Sequence, residues 1–371
     1  MRLGVGRLME NYLDLDRTDR HEADRPPAVS DAQVYSEELS LADLAEPLGF
    51  DSIWTTDHYF APYQMTGSAL QQATYMAGRT NRVDFGTMVI TLPWHHPLQV
   101  ATEICTLDNM LGGCHLTLGL GRGSSPKEFR SWGVDMGEAR GRFLESVEIL
   151  RRALLNEWFS FDGQFYQIPD TTIRPRPRNP QRLVDDMRCA WQSPAGLALG
   201  AEAGMEVLTF GSKTWEEYQR DIHDFNAIRE RDGREPSRPV VLAWVACSED
   251  DEEGRRLVTT HLNEFLSSNT RHYRWADAAP FERATGYEYY AEQARRRADP
   301  VAATSNATSY PETQIWGTPE RCLSRLREIQ DWLNVREVIC CFKYGSMPYA
   351  TARRSMELFA AKVLPEVQRW S

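Results

Sequence analysis

Residues 117–129 read TLGLGRGSSPKEF, an apolar strand pattern that runs into glycines, an arginine, two serines and a proline. The glycines would let the backbone approach a ligand closely, because a glycine carries no Cβ atom. Ser125 has the position of a helix N-cap, Pro126 that of the first helical residue, and Glu128 completes a capping box. The segment therefore predicts a strand, a tight turn and the start of a helix.

The turn in this segment could hold a phosphate group. Amides at a helix start favour an anion, and Arg122 can add a bidentate contact with a permanent charge. Ser124 stands where the Rossmann fingerprint has its third glycine, and Lys127 lies beyond the turn, so the loop matches neither that fingerprint nor a Walker motif. Taken alone, the loop is equally well interpreted as a tight turn with a surface arginine.

On both sides of this segment, strand patterns alternate with amphipathic helical patterns. The strand patterns are RLGVGRLM (2–9), DSIWTTD (51–57), RVDFGTMVITLP (82–93), CHLTLGLG (114–121), DMRCAWQ (186–192), MEVLTFG (205–211), RPVVLAWVAC (238–247) and REVICCFKYG (336–345). Helical patterns follow them near residues 36–49, 67–79, 97–113, 138–156, 194–203, 214–231, 249–268 and 349–364. Eight βα units are what a (β/α)₈ TIM barrel needs, so we expect this α/β fold with loop insertions at its C-terminal face. An open, doubly wound sheet is the alternative, because sequence alone does not show closure.

Three stretches interrupt the alternation within what we expect to be a single barrel domain over residues 1–371. Residues 14–29 are charged and lack apolar periodicity, whereas residues 157–182 predict a hairpin and then a proline-spaced extended segment. Residues 270–313 are rich in tyrosine, arginine and alanine. In a barrel such stretches are loop insertions or outer-wall additions, and long loops at the C-terminal face often cover the site.

Composition argues against several functional classes. The net charge of −11 does not favour nucleic-acid binding, which calls for a basic face. No apolar run approaches the length needed to cross a bilayer, and the N-terminus lacks the apolar core of a signal peptide. The seven cysteines show no CxxC spacing and are typical of reduced thiols. We therefore expect a cytoplasmic protein that binds neither nucleic acid nor membranes.

A candidate acid–base group follows the second strand pattern. In DSIWTTDHYF (51–60), Asp57, His58 and Tyr59 come just after the strand, at the end where barrel active sites lie. A histidine there can act as a general base, and the neighbouring carboxylate could orient it. A histidine that only caps a loop is the alternative.

The other histidines are weaker candidates for a catalytic or metal-binding role. His95 and His96 are adjacent, but no second ligand pair with useful spacing accompanies them, so no metal is expected. His115 lies within the fourth strand pattern and is predicted to be buried and hydrogen-bonded. No hydrolase motif such as GxSxG or HExxH occurs.

Together these segments resemble the bacterial luciferase-like flavin monooxygenases. The resembling pieces, in family order, are LGFDSIWTTDHYF, GTMVITLPWHHPLQVATEICTLDNMLGG, LTLGLGRGSSPKEFRSWGVDM, GRFLESVEILRRAL, WFSFDGQFYQIP and MPYATARRSMELFAAKVLPEV. They cover most of the chain, and residues 14–29 and 270–313 match weakly.

The resemblance implies a (β/α)₈ barrel that binds FMN at the C-terminal ends of its strands, usually in a dimer. Reduced FMN from a separate flavin reductase would react with O₂ to give a C4a-(hydro)peroxyflavin. That intermediate would insert one oxygen atom into a small organic or carrier-bound substrate. The implied partners are therefore a transient reductase and a second copy of the chain.

The resemblance also assigns roles to individual residues. His58 matches the active-site histidine that is thought to act as a base. Arg122 matches the arginine that holds the FMN phosphate, with the amide of Ser124 beside it. Ser193 matches a second phosphate-binding turn, which Gln192 precedes.

Further positions follow from the same comparison. Met88 and Val89 fall where many members have a non-prolyl cis peptide beneath the flavin ring, and Asp57 adjoins the histidine in the cofactor site. The residues expected to line the substrate pocket lie on loops at the same barrel end. They are Tyr59, Trp94, His95 and His96.

Two departures and three alternatives qualify the resemblance. Tyr59 replaces a second histidine of the luciferases, so light emission from a fatty aldehyde is not expected. Gly196 stands where a serine or threonine often contacts the phosphate, so this turn would bind more weakly or through backbone alone. An F420-dependent oxidoreductase and a non-catalytic flavin-binding subunit share the fold, although His58 and Arg122 together speak against the latter. A sugar-phosphate barrel enzyme would need a phosphate site after strands seven and eight, where Gly345–Ser346 is only a weak candidate.

Overall fold

The computed structural model describes residues 1–190, 193–210, 213–298 and 310–370. Its strands are β1 (Arg2–Gly6), β2 (Ser52–Thr55), β3 (Asp84–Thr87), β4 (Ile90–Thr91), β5 (Leu116–Thr117), β6 (Gly119–Gly121), β7 (Phe159–Asp162), β8 (Gln167–Thr171), β9 (Arg188–Ala190), β10 (Glu206–Phe210), β11 (Val240–Cys247), β12 (Ile315–Gly317) and β13 (Glu337–Cys341). Most of the alternating strands and helices that the sequence predicts are present.

The α-helices surround these strands. They are α1 (Leu15–Asp19), α2 (Asp31–Leu48), α3 (Ala69–Ala77), α4 (Pro97–Met110), α5 (Pro126–Trp132), α6 (Ala139–Leu155), α7 (Pro180–Asp185), α8 (Pro194–Glu202), α9 (Trp215–Arg231), α10 (Asp251–Tyr273), α11 (Ala279–Glu282), α12 (Glu288–Arg297), α13 (Pro319–Leu333), α14 (Tyr349–Lys362) and α15 (Leu364–Val367). No helix in the described part of the chain is long and apolar enough to cross a membrane.

The parallel strands pair in a closed ring. β1 pairs with β2 and β13, β2 with β3, β3 with β5, and β4 with β6. From β6 the ring continues through β9, β10 and β11 back to β13. Because β3 and β4 are two segments of one strand, as are β5 and β6, the ring has eight members. The predicted barrel is confirmed, and the open sheet is not formed.

Glycine allows the third and fourth barrel strands to approach closely. A Cβ atom at Gly119 would lie 1.9 Å from the carbonyl oxygen of Thr87. That threonine also donates its hydroxyl to the carbonyl of Gly119 at 2.8 Å. A larger residue at this position would push apart the two strands that carry the loop quoted at the start.

The connection after β11 is more complex than the sequence analysis predicted. A single helix over 249–268 was expected there, whereas the chain forms α10, α11 and α12, then β12 beside β11, then α13. Helix α13 contacts both α9 and α14, so it completes the outer wall between them. Strand β12 and helix α13 were missed because the weakly patterned stretch 270–313 separates them from the strand that they follow.

The hairpin expected within residues 157–182 is formed by β7 and β8, which pair antiparallel. It follows α6 and precedes β9, so it belongs to a helix-to-strand connection and not to the C-terminal face. Residues 14–29 and 270–313, by contrast, follow the C-terminal ends of β1 and β11 and include α1, α11 and α12.

His115 is buried and hydrogen-bonded, as predicted. Its Nε2 lies 2.8 Å from Oδ2 of Asp186, which also contacts Arg188 and Arg336. Burial raises the pKa of the Asp186 carboxyl, but the hydrogen bond of His115 and the two arginine charges outweigh it and hold the pKa below its ordinary value. This cluster lies at the N-terminal ends of the strands, on the face of a barrel that serves stability and not catalysis.

Candidate functional site

A cavity of about 1210 Å³ opens at the C-terminal ends of the barrel strands. It brings together seven of the residues proposed from the sequence. They are His58, Met88, Val89, Trp94, Arg122, Ser124 and Ser193. Because these residues come from four separate strand–helix units, their convergence is a property of the closed barrel.

The segment quoted at the start forms a strand, a tight turn and a helix, as predicted. Strand β6 ends at Gly121, Gly123 has a φ of 79°, and α5 begins at Pro126. Ser125 is the N-cap, and its hydroxyl accepts the backbone N–H of Glu128 at 3.4 Å. The turn is thereby held against the cavity, which Arg122 lines.

Removal of this cap should have a modest effect on stability. Ser125→Ala is expected to lower the free energy of unfolding by about 1 kcal/mol, because an N-cap hydrogen bond is lost. Ser131→Ala, at an exposed position of the same helix, is the matched control and should change it by less than about 0.5 kcal/mol. Urea denaturation followed by circular dichroism measures both, and equal values would contradict the capping role.

Glu128 does not complete a capping box, so that prediction is wrong. Its side chain is 0% exposed and turns away from Ser125. Oε1 lies 3.3 Å from Nδ1 of His58 and accepts the backbone N–H of Tyr59 at 2.8 Å. Oε2 lies 3.0 Å from Nε2 of His272. A single buried carboxylate therefore joins the loop after β2 to the end of α10.

The charge of this carboxylate is maintained by its partners. Burial raises the pKa of Glu128, but the charge and hydrogen bond of His58 and those of His272 outweigh it and lower the pKa to about 2. The pKa of His272 is lowered, because burial outweighs its attraction to Glu128. An ionised carboxylate has no proton to donate, so His58 must present its Nδ1–H to Glu128.

His58, Glu128 and His272 also form the group best suited to a metal ion among the residues described. Their ligand atoms all lie within 4.8 Å of one another. Each histidine, however, contacts a different oxygen of Glu128 at hydrogen-bond distance. We therefore interpret the group as two histidines hydrogen-bonded to one carboxylate.

Asp57 orients a different histidine from the one expected. Its Oδ2 accepts the backbone N–H of Thr91 at 2.8 Å and lies 2.9 Å from Nε2 of His95. Burial lowers the pKa of His95, but the hydrogen bond and charge of Asp57 outweigh it and raise the pKa overall. The idea that Asp57 orients His58 is therefore wrong, because Glu128 occupies that position.

The predicted substrate residues separate into two groups. Trp94 lines the cavity, whereas Tyr59, His95 and His96 are not among the described residues that line it. Tyr59 packs edge-on against Trp94 and Trp132, with ring centroids 6.2 and 5.0 Å apart. Burial and then the charge of Asp57 raise the pKa of Tyr59.

His96, which was predicted to line the substrate pocket, has a different position in the structure. It is exposed and caps α4, with Nδ1 accepting the backbone N–H of Leu98 at 3.3 Å. Its ring also faces Tyr166 of the hairpin, with centroids 5.8 Å apart. The structure therefore does not bring His96 to the cavity wall.

Arg122 contacts the segment that follows α10 and α11. Its Nη1 donates to the carbonyl of Gly286 at 3.0 Å, and its guanidinium lies 4.1 Å from the ring centroid of Tyr287. The hydroxyl of Tyr287 in turn donates to the carbonyl of Gly123 at 2.7 Å. The stretch around α11 and α12 thus covers the turn, and Arg122 reaches both that cover and the cavity.

The second predicted anion-binding turn begins α8. Ser193 is the N-cap of this helix and accepts the backbone N–H of Gly196 at 3.2 Å. Both residues line the cavity. The backbone N–H of Gly196 is thus used by the helix cap, whereas Gln192 lies outside the described residues. Met88 and Val89, joined by a cis peptide bond, form another part of the cavity wall.

The loop proposed for a sugar phosphate has its amides already occupied. The N–H of Gly345 donates to Glu10 at 2.7 Å, and the N–H of Ser346 donates to Glu264 at 2.8 Å. Burial raises the pKa of Glu264, but the hydrogen bonds of Ser346 and His261 lower it overall, so this ionised carboxylate would repel a phosphate. The sugar-phosphate alternative therefore has no support here.

The sequence analysis did not identify His272 and Tyr273, and it assigned Glu128 to a capping box instead of to this site. The first two lie at the end of α10, next to a stretch without clear periodicity. The hydroxyl of Tyr273 lies 3.2 Å from Nε2 of His58. A histidine and a tyrosine in adjacent positions at a helix end were the available signal, but nothing in the sequence relates them to residue 58.

Comparison with known proteins finds similarity over most of the chain. The family model for luciferase-like monooxygenases matches residues 18–334. The alkanal monooxygenase alpha chain of Photobacterium leiognathi is 24% identical over 352 residues, which cover 93% of this chain and 96% of that protein. The monooxygenase RslO1 of Streptomyces bottropensis has a TM-score of 0.78 at 24% identity and covers 99% of this chain and 100% of its own.

Two further solved structures differ in their cofactor. The oxygenating constituent of 3,6-diketocamphane monooxygenase from Pseudomonas putida, in complex with FMN, has a TM-score of 0.71 at 18% identity over 99% of this chain and 98% of its own. An F420-dependent secondary alcohol dehydrogenase has a TM-score of 0.66 at 15% identity over 98% of each chain. At these identities the structural likeness shows the fold.

Proposed function

The chain belongs to the luciferase-like monooxygenases, and on this premise we propose that it is a two-component flavin monooxygenase. It would receive reduced FMN from a separate reductase and use O₂ to oxygenate a small organic or carrier-bound substrate. Reduced FMN supplies the activation of O₂ when it is bound. A homodimer in the cytoplasm is part of the same proposal.

One observation carries the proposal. The anion-binding groups of the turn and of α8 line the same cavity as His58 and the Met88–Val89 peptide. A guanidinium, two serines and a helix N-terminus are the donors that a phosphate monoester favours. The residues present therefore fit the phosphate of a flavin nucleotide, with an apolar wall for its ring.

The cavity also has room for a second ligand. Its volume of about 1210 Å³ exceeds the ~300–1,000 Å³ of an ordinary small-molecule site. The stretch that includes α11 and α12 covers one side through its contacts with Arg122 and Gly123. Exclusion of water protects reactive intermediates from hydrolysis, so this cover supports oxygenation.

The residues around His58 support an acid–base role. Its Nδ1 is held by an ionised carboxylate, while its ring lines the cavity. Such an arrangement fixes the tautomer and stabilises the imidazolium that forms when a proton is accepted. A flavin-binding subunit without catalytic activity would not require this pairing.

F420-dependent hydride transfer is the second candidate function. The F420-dependent neighbour shares the fold, and the same anion-binding groups could hold the phosphate of that cofactor. The difference between the two functions lies in the reaction with O₂. The deazaflavin candidate would transfer hydride without consuming oxygen.

A cofactor titration tests the proposal. Reduced FMN is expected to bind more tightly than oxidised FMN or F420, and the loaded protein should consume O₂. Equilibrium titration followed by absorbance and fluorescence, with an oxygen electrode, measures both. Tight binding of F420 alone, without oxygen uptake, would contradict the monooxygenase and support the alternative.

A further inference from the structure

We propose that Tyr273 is the residue that exchanges a proton with the bound substrate, while His58 and Glu128 lie behind it as a relay. This inference rests on the proposed oxygenase function and adds a catalytic residue to it. Tyr273 is the last residue of α10 and comes from a part of the chain that matched the family only weakly in sequence.

The relay follows from which atoms face one another. The ionised Glu128 accepts the N–H at Nδ1 of His58, so Nε2 is the ring nitrogen that is left to exchange a proton. That nitrogen lies 3.2 Å from the hydroxyl of Tyr273. The three groups therefore form a carboxylate, an imidazole and a hydroxyl in series. This order of groups activates hydroxyl side chains in other enzymes.

Tyr273 is placed to meet a ligand. It is half-buried and lines the cavity, whereas Glu128 is fully enclosed. Its ring stacks on Trp275 with centroids 4.8 Å apart and planes 17° apart. It also meets the ring of Tyr63 edge-on at 5.7 Å. The phenol is therefore held in one orientation, with its hydroxyl between His58 and the open space.

Several titratable groups surround this hydroxyl. They are His58 and Tyr63 from the loop after β2, Glu128 from α5, His272 from α10 and Tyr290 from α12. Burial raises the pKa of Tyr273 well above its ordinary value. The hydroxyl of Tyr63 is a second hydrogen-bond neighbour of Tyr273, and it also accepts the side-chain N–H of Asn269 at 2.8 Å. Tyr273 is thus a neutral donor in the resting protein.

The proton transfer balances without any redox step. A proton leaves an O–H group of the substrate and bonds to the phenol oxygen of Tyr273. The proton that the phenol already held moves to Nε2 of His58. The resulting imidazolium is stabilised by Glu128, and the reverse sequence returns the proton to the product.

The variant Tyr273→Phe removes the hydroxyl and keeps the stacked ring. In ¹⁵N-histidine NMR of the cofactor-free protein, we expect the Nε2 signal of His58 to shift when its hydrogen bond is lost. The signal is assigned by its absence in His58→Gln. The oxidation of reduced FMN by O₂ to hydrogen peroxide takes up a proton, which the same relay would supply in the absence of substrate. Peroxide release from the loaded variant should therefore slow by about 10²-fold and lose its pH dependence, while FMN affinity stays within about twofold.

Two further variants separate a relay from a general structural effect. Tyr344→Phe removes another buried hydroxyl, which donates to the carbonyl of Val245 at 3.4 Å away from the cavity. It should leave both readouts unchanged. Glu128→Gln should alter the His58 signal and displace the pH profile, because the charge behind the imidazole is removed.

The outcomes distinguish this inference from the proposed function. An unchanged His58 signal, or an unchanged pH profile of peroxide release, in Tyr273→Phe would overturn the relay. If the wild-type protein binds no reduced FMN, the proposed function fails instead. The same variants are then compared in hydride transfer from reduced F420, where an unchanged rate in Tyr273→Phe would overturn the relay.

Discussion

Glu128→Ala should lower the free energy of unfolding by about 3–5 kcal/mol, because it breaks a buried charge network and leaves its partners unpaired. The carboxylate contacts both His58 and His272 and also accepts the backbone N–H of Tyr59. The side chain of His272 is 1% exposed, so its Nε2 would lose its partner without reaching water. Urea denaturation followed by circular dichroism measures the change.

A surface ion pair provides the matched control for this prediction. Glu138 lies 2.8 Å from Arg142 on the first turn of α6, and its side chain is 41% exposed. Glu138→Ala should cost no more than about 1 kcal/mol, because exposed pairs contribute little. If Glu128→Ala cost no more than Glu138→Ala, the central role of the buried carboxylate would be refuted.

The same carboxylate should make the protein sensitive to acid. The pKa of Glu128 falls from its ordinary value of 4.5 to about 2 on folding. Its contribution to stability is therefore complete above pH 4.5 and is lost as the pH falls towards 2. His272, whose pKa is also lowered, adds a loss of the same sign, because the unfolded chain takes up its proton first. Glu128→Gln should show a weaker pH dependence in this acid range.

Arg122→Ala should weaken the binding of FMN by about 10–150-fold, which corresponds to about 1.5–3 kcal/mol for hydrogen bonds to a charged group. The guanidinium lines the cavity beside Ser124 and is the permanent cation of the predicted phosphate site. Equilibrium titration of the purified variant with FMN measures the loss. Arg122→Lys should lie between the variant and the wild type, because lysine keeps the charge but not the planar fork.

Two control variants test whether the loss of FMN affinity is specific to the guanidinium of Arg122. Arg130→Ala removes an exposed arginine from α5, so general loss of charge is tested with the helix unchanged. Tyr287→Phe removes the hydroxyl that donates to Gly123 but keeps the ring beneath Arg122. Unchanged affinity in Arg122→Ala would contradict the phosphate role. A loss as large in Tyr287→Phe would instead assign the effect to the covering segment.

Several parts of the molecule could be predicted from local pattern. Period and turn chemistry located the eight barrel strands and the N-cap at Ser125, because both depend on neighbours within a few residues. Strand β12 and helix α13 were missed because an insertion separates them from the strand that they follow. His95 and His96 were grouped as neighbours, yet one contacts Asp57 and the other caps a helix.

The sequence by itself determined the barrel and the face at which His58 and Arg122 meet, since parallel strands present their C-terminal ends on one side. Only the tertiary structure decided the partners of these residues. Glu128 lies 144 positions from His272, and Tyr273 lies 215 positions from His58. Contacts over such separations depend on how the barrel closes and how α10 crosses its top. No local pattern encodes them.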